Sequence, residues 1–212
     1  MGTRNHGRPS MSPLFTGPDG KPRCGWCAAT PQYMHYHDNE WGFPVDDDRR
    51  LFEKLCLEGF QSGLSWRTIL EKRDNFRAAF HGFDFEKIAR FGERDVERLL
   101  QDAGIVRHRG KIEATINNAQ RACELVEREG SLAAFIWRFR PAKSLAKPQI
   151  VSTSPESVAL SKALKKLGWK FVGPTTMYAF MQSMGLVNDH AEDCTFRAIV
   201  EQQRKRFKQP GA

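Results

Sequence analysis

The stretch LLQDAGIVRHRGKIEATI, residues 99–116, reads as helix, turn, helix. Apolar residues recur at helical spacing on either side of a turn bounded by Gly104 and Gly110, and the turn carries Arg107, His108, Arg109 and Lys111. A tight glycine-bounded turn presents backbone N–H groups, and the helix that follows adds its positive N-terminal end, so the pattern suits a phosphate backbone. An ordinary helical hairpin with solvated basic residues has the same outline. Glycine and positive charge coincide at this turn, which favours the phosphate reading.

The helical period continues outward in both directions. Upstream, 49–63 places Leu51, Leu55, Glu58 and Ser62 on one face, and 65–80 opens on Ser65 as N-cap with Trp66, Ile69, Leu70 and Phe80 on one side. Segments 84–91 and 93–103 follow, with Gly104 as a left-handed cap. Downstream, 110–129 carries the stripe Ile112, Ile116, Ala119, Cys123, Val126; further helices are expected at 131–139, at 154–168 with Ser154 as cap and Pro155 at the first position, and at 174–184. Only QIVST (149–153) suggests a strand. The fold class is all-α, with one domain over residues 23–200, a disordered tail at 1–22 rich in Gly, Pro and Ser, and a basic C-terminal tail at 201–212.

The chain has 212 residues, 40% hydrophobic and 27% charged, with a net charge of +8. That balance fits a soluble protein with a polyanionic partner, nucleic acid first. No apolar run reaches the roughly 20 residues needed to cross a bilayer, and the first residues lack the apolar core of a secretory signal. Five cysteines with no such signal point to reduced thiols and a cytoplasmic location. Cys56 and Cys123 fall within apolar helical patterns and are expected in the core.

Cys24, Cys27, His35, His37, His190 and Cys194 are six candidate metal ligands. His190 and Cys194 have a common ligand spacing, and a pair near each end could clip a very long loop closed. A redox pair at Cys24 and Cys27 would want a βαβ setting that the sequence lacks. Glu58 interrupts an apolar stripe, where an unpaired carboxylate costs several kcal/mol if buried. It therefore lies at the edge of the stripe, pairs with a base such as Arg, or lines a polar cavity. Trp26, Tyr33, Tyr36, Trp41 and Trp66 cluster within 41 residues of chain. Individually such rings are core residues; around a carboxylate they form a cage suited to a flat cation.

The motifs RCGWC, YHDNEWGFP, LFEKLCLEGFQSGLSW, QDAGIVRHRGKI and KFVGPTTMYAFMQSMGLVNDH, followed by Cys194, resemble in the same order the family of 3-methyladenine DNA glycosylase I, over roughly residues 23–194. The resemblance implies a helix-hairpin-helix DNA glycosylase fold whose terminal segments are joined by one structural Zn2+ held by Cys24, His37, His190 and Cys194. It implies a pocket for the damaged base at Glu58, Tyr36 and Trp66, with Trp26 and Trp41 at the rim. It implies DNA contacts at Gly104, Arg107, Arg109, Gly110 and Lys111, and a gap-filling loop with Gln61 and Leu64. The expected activity is hydrolysis of the N-glycosidic bond of 3-methyladenine in double-stranded alkylated DNA, by a monomer and without a membrane partner. Thr175 and Thr176 stand where many helix-hairpin-helix glycosylases carry an essential Asp, as in the 3-methyladenine branch. The hairpin lacks the Lys that would form a Schiff base and cleave the strand. The other reading is a non-catalytic, zinc-stapled DNA-binding protein, from which the Glu58 cluster separates it.

Overall fold

The computed structural model describes residues 14–143, 147–148 and 151–211. Its centre is α2 (Asp48–Gln61), opened by Asp47, whose side chain accepts the Arg50 N–H at 2.8 Å. Almost every residue from Leu51 to Phe60 is buried, as expected of a helix packed all round. Around it lie α3 (Trp66–Glu71), α7 (Arg109–Glu129), α8 (Leu132–Trp137) and α10 (Pro174–Ser183). The chain also forms α1 (Pro31–Asn39), α4 (Arg73–Ala79), α5 (Phe85–Ile88), α6 (Glu93–Gln101), α9 (Pro155–Lys166) and α11 (Thr195–Arg206). One apolar core joins Leu51, Phe52, Phe60, Phe76, Phe80, Ile112, Trp137 and Phe180. Each such side chain contributes about 1.5–3 kcal/mol by leaving water.

Local chemistry sets the boundaries. Ser65 caps α3, Ser131 caps α8, and Ser154 forms a capping box ahead of Pro155. The single helix expected over 65–80 is two, broken at Lys72, whose ammonium donates to the carbonyls of Ala103 and Gly104 at 3.1 and 3.3 Å. The break lets this lysine brace the hairpin turn. Helix α6 stops at Gln101, and Gly104 is not in the left-handed region; its N–H donates to the Asp102 carboxylate at 2.8 Å. Ser62 lies beyond α2 and is exposed. On α7 the buried face runs through Lys111, Thr115, Asn118, Ala122 and Leu125 beside Ile112 and Ala119; Ile116, Cys123 and Val126 are only partly covered. The polar members of that face bond main-chain groups, such as Asn118 to Lys170 O at 2.9 Å.

Strands form where none was expected. Leu14–Thr16 and Pro22–Cys24 pair antiparallel, Leu14 opposite Cys24. Residues 14–22 of the expected disordered tail are thus a hairpin that delivers Cys24, while residues 1–13 lie outside the described residues. Strands of three residues carry too little alternation to read from sequence. Val151–Thr153 are not a strand, and residues 149 and 150 lie outside the described residues. At the other end α11 enters the expected tail 201–212. Arg204 is buried, its guanidinium donating to Gly185 O at 2.8 Å and Leu186 O at 2.9 Å, where it satisfies the end of α10. Gly185 itself has φ +80°, and a Cβ there would lie 2.5 Å from Pro44 N.

Candidate functional site

Residues 23–44 build two adjoining regions. In the first, Cys24 at the end of the hairpin, His37 on α1, and His190 and Cys194 before α11 are all buried, with their ligand atoms within 4.8 Å of one another. Cys194 Sγ lies 3.5 Å from His37 Nε2 and 3.6 Å from His190 Nδ1, and Cys24 Sγ lies 3.8 Å from His190 Nδ1. Tetrahedral coordination with metal–sulfur near 2.3 Å and metal–nitrogen near 2.05 Å gives S···N edges of about 3.6 Å. Both free imidazole nitrogens are braced: His37 Nδ1 on Asp38 at 2.8 Å, His190 Nε2 on the Trp41 carbonyl at 3.0 Å. Asp38 is in turn clamped by the buried Arg23 guanidinium through bonds of 2.8–3.0 Å. The Ala191 N–H donates to Cys24 Sγ at 3.2 Å. A hydrogen bond from Cys24, with His190 and His37 adding to it, holds the Cys194 thiol far below its ordinary range, and the same bond pushes Cys24 up. This group could hold a metal ion. Cys27 is buried but outside it, its thiol pushed up to about 11 chiefly by burial; His35 is near Asn39 at 3.2 Å on the exposed side of α1.

In the second region, a cavity of about 120 Å3 is lined by Trp26, Tyr36, Trp41, Lys54, Glu58 and Trp66, with Gln61 and Gln182 also in its wall. Tyr36 and Trp66 have ring centroids 5.5 Å apart, and Trp26 meets Trp41 edge to face at 5.1 Å. Glu58, 5% exposed, is not at the edge of its stripe: it lines the cavity and is also paired. Its partner is Lys54, one turn earlier on α2, at 2.9 Å. The Lys54 ammonium also donates to the Tyr36 hydroxyl at 3.0 Å and lies 3.1 Å from the centroid of the Trp66 ring. Burial first, then the Glu58 charge, raises the Tyr36 phenol well above its usual value, so it remains a neutral hydroxyl. The Trp66 Nε1–H is buried without a hydrogen-bond partner among the described residues. A carboxylate ringed by aromatic faces accepts a flat, cationic, hydrogen-bonding ligand.

The other residues expected to touch DNA are placed as follows. Leu64 is 43% exposed in the loop between α2 and α3, close in sequence to Gln61. Arg107 is exposed in the hairpin turn and makes no ion pair among the described residues. The N–H groups of Arg109 and Gly110 open α7 and have no intrahelical acceptor. Three expectations need correction. The Gly104 N–H is taken by Asp102. The Arg109 guanidinium is held by Glu93, Glu97 and Glu113, which offset its charge. Lys111 is buried, and its ammonium donates to Phe60 O at 2.9 Å and Ser62 O at 2.6 Å. It caps α2 and ties the start of α7 to the end of α2, where Gln61 sits.

Sequence reasoning missed Lys54, Arg23, Asp38 and Gln182. Lys54 had a signal: a Lys and a Glu four apart on a helix otherwise apolar enough to be buried. Arg23 and Asp38 flank the two N-terminal ligands, and only the fold turns them toward each other.

The model of the methyladenine glycosylase family matches residues 26–198. The chain is 51% identical over 177 residues to DNA-3-methyladenine glycosylase 1 of Escherichia coli (strain K12), covering 81% of this chain and 95% of that protein. A crystal structure of 3-methyladenine DNA glycosylase I is similar at a TM-score of 0.78 and 52% identity, over 82% of this chain and 98% of that one. A variant of such an enzyme in complex with 3-methyladenine is similar at a TM-score of 0.78 and 36% identity, over 82% of this chain and 97% of that one.

Proposed function

The chain belongs to the methyladenine glycosylase family, and from that premise we propose how its own residues excise 3-methyladenine from alkylated DNA. The enzyme hydrolyses the N-glycosidic bond of the damaged nucleotide. Methylation at a ring nitrogen gives the base a positive charge and makes it a good leaving group, so discrimination is the harder task. The observation that carries the reading is the buried Glu58 carboxylate in a cavity walled by Tyr36 and Trp66.

The damaged nucleotide is turned out of a duplex and its base enters this cavity. The electron-rich faces of Tyr36 and Trp66 favour a cationic ring over neutral adenine, each desolvated contact contributing on the order of 2 kcal/mol. Glu58 accepts hydrogen bonds from the adenine edge and its charge holds the ring; water then attacks C1′. Leu64 and Gln61 occupy the gap left in the stack. Arg107 and the N–H groups that open α7 hold phosphates. Lys111 keeps that helix in register with the end of α2 that carries Gln61, so backbone grip and base extrusion act through one rigid joint. The pocket and the hairpin belong to one chain, which supports action as a monomer.

The ion that suits two thiolates and two imidazoles near tetrahedral spacing is a single Zn2+. It would be held by Cys24, His37, His190 and Cys194 as a staple between the terminal segments, with no part in bond cleavage.

Incubation with methylated duplex DNA should release free 3-methyladenine and leave 7-methylguanine in place, and Glu58→Gln should slow release about a hundredfold. Retention of both bases by a protein that still binds the DNA would select the non-catalytic reading. Wild-type release by Glu58→Gln would remove the pocket from the mechanism.

A further inference from the structure

We propose that Lys54 is a tethered stand-in for the substrate's positive charge, occupying the cation place between the Glu58 carboxylate and the Trp66 ring until a cationic base displaces it. The inference rests on the reading of Glu58 and Trp66 as the groups that hold the base. Both groups the base needs already have a cation on them: the Lys54 ammonium is 2.9 Å from Glu58 Oε1 and 3.1 Å from the Trp66 ring centroid, with the Tyr36 hydroxyl accepting a further bond at 3.0 Å. Two positive charges competing for one carboxylate repel, and at a few ångströms in a half-dry cavity the repulsion is severe. The base enters fully only where the lysine gives up its proton or its position.

The surroundings permit both. Lys54 also borders a second, smaller cavity of about 30 Å3 beyond the pocket, lined among others by Glu40, Glu53 and Arg73. This gives the side chain somewhere to go. The titratable groups facing it or lining the two cavities are Arg50, Glu53 and Glu58 on its own helix, Tyr33, Tyr36 and Glu40 from α1 and its C-terminal end, and Arg73 and Arg77 from α4; α3 contributes the Trp66 ring and α10 the uncharged Ala179 and Gln182. Burial outweighs the pull of Glu58 and lowers the Lys54 ammonium to about 8. A second cation beside it lowers it further. The proton therefore leaves as the cationic base arrives, and the neutral amine becomes a hydrogen-bond acceptor in the pocket wall.

The sign follows. Below about pH 8 the free enzyme carries the competing ammonium and binds only at the cost of moving or deprotonating it; above that pH the cation place is open. The test is kcat/KM for release of 3-methyladenine from methylated duplex DNA, measured between about pH 6 and about pH 9.5 with spontaneous loss subtracted. The wild type should rise by up to about tenfold per pH unit and level off above about 8, because kcat/KM reports the free enzyme. Lys54→Met should run flat at or above the wild-type plateau. Lys54→Arg, which keeps its charge throughout, should remain at the low-pH level. A Lys54→Met profile that follows the wild type, or falls below it at every pH in a protein that melts normally, overturns the inference. If Lys54→Met does not fold, Lys54→Arg decides: a wild-type rise overturns the proposal, and a flat low profile sustains it. Glu58→Gln separates the two ideas. Wild-type rates in that variant mean that the pocket reading itself has failed; a loss in Glu58→Gln beside an unchanged Lys54→Met profile means that only the role of Lys54 has failed.

Discussion

Tyr36 and His37 are neighbours on α1, yet Tyr36 turns to the cavity beside Glu58 and His37 turns to Cys194. The two regions differ in how their polar groups are satisfied. In the four-ligand cluster each imidazole is fixed on its far side, one by Asp38 and one by the Trp41 carbonyl, and Arg23 locks Asp38 in place. In the cavity Glu58 leans on a mobile type of side chain, and the Trp66 Nε1–H has no hydrogen-bond partner among the described residues. Complete satisfaction suits a permanent structural joint. A buried charge with an exchangeable partner suits a place that a ligand must enter.

The comparison breaks most readily at the cluster. Cys194→Ser should abolish stoichiometric metal binding and lower stability by on the order of 3 kcal/mol, as loss of a native cross-link does; metal analysis and thermal melting report both. The residual excision per folded molecule should stay near wild type, and a loss of chemistry equal to that of Glu58→Gln would show that the two regions are not separable. Trp66→Leu should do the reverse. It removes one desolvated cation–π contact, about 2 kcal/mol, and should lower excision roughly thirtyfold with metal content unchanged. Arg23→Met sharpens the contrast within the cluster by freeing Asp38: metal affinity measured by competition with a chelator should fall about ten- to a hundredfold. The smallest effect is expected at Gly42, where φ is +87° and a Cβ would lie 3.0 Å from His190 Nε2. Gly42→Ala should cost about 1–2 kcal/mol in melting and leave single-turnover excision intact.

Helices α2, α9 and α10 were legible because apolar side chains spaced for it carry their burial; α7 was legible as a helix, but its buried face runs through Lys111, Thr115 and Asn118, polar groups whose acceptors lie elsewhere in the fold. The metal-type ligands were legible as six candidates, which only the family resemblance narrowed to four, and Glu58 stood out as a carboxylate in an apolar stripe without its placement being decided. Helix α1 was not: its sequence PQYMHYHDN is polar, and it is a helix because Thr30 caps it and its rings and imidazole each find a neighbour elsewhere in the fold. Lys111 and Arg204 were misjudged for one reason. A basic residue near a turn or tail looks like surface charge, yet an ammonium or guanidinium is also the group best able to satisfy the carbonyls at a helix end. Sequence records the charge and not which acceptors the fold brings to it.

The distance along the chain between the two halves of the cluster sets an order of events at the ribosome. Cys24 and His190 are 166 positions apart, so the hairpin waits for α11, the last helix made, whereas α1 meets Lys54, Trp66 and Arg73 as soon as α2 to α4 exist. Of the aromatic wall, Trp41 is the ring that waits longest, since it packs edge to face on His190 with centroids 4.6 Å apart. A chain that stops short of His190 therefore leaves the Trp41 side of that wall without the ring that packs on it.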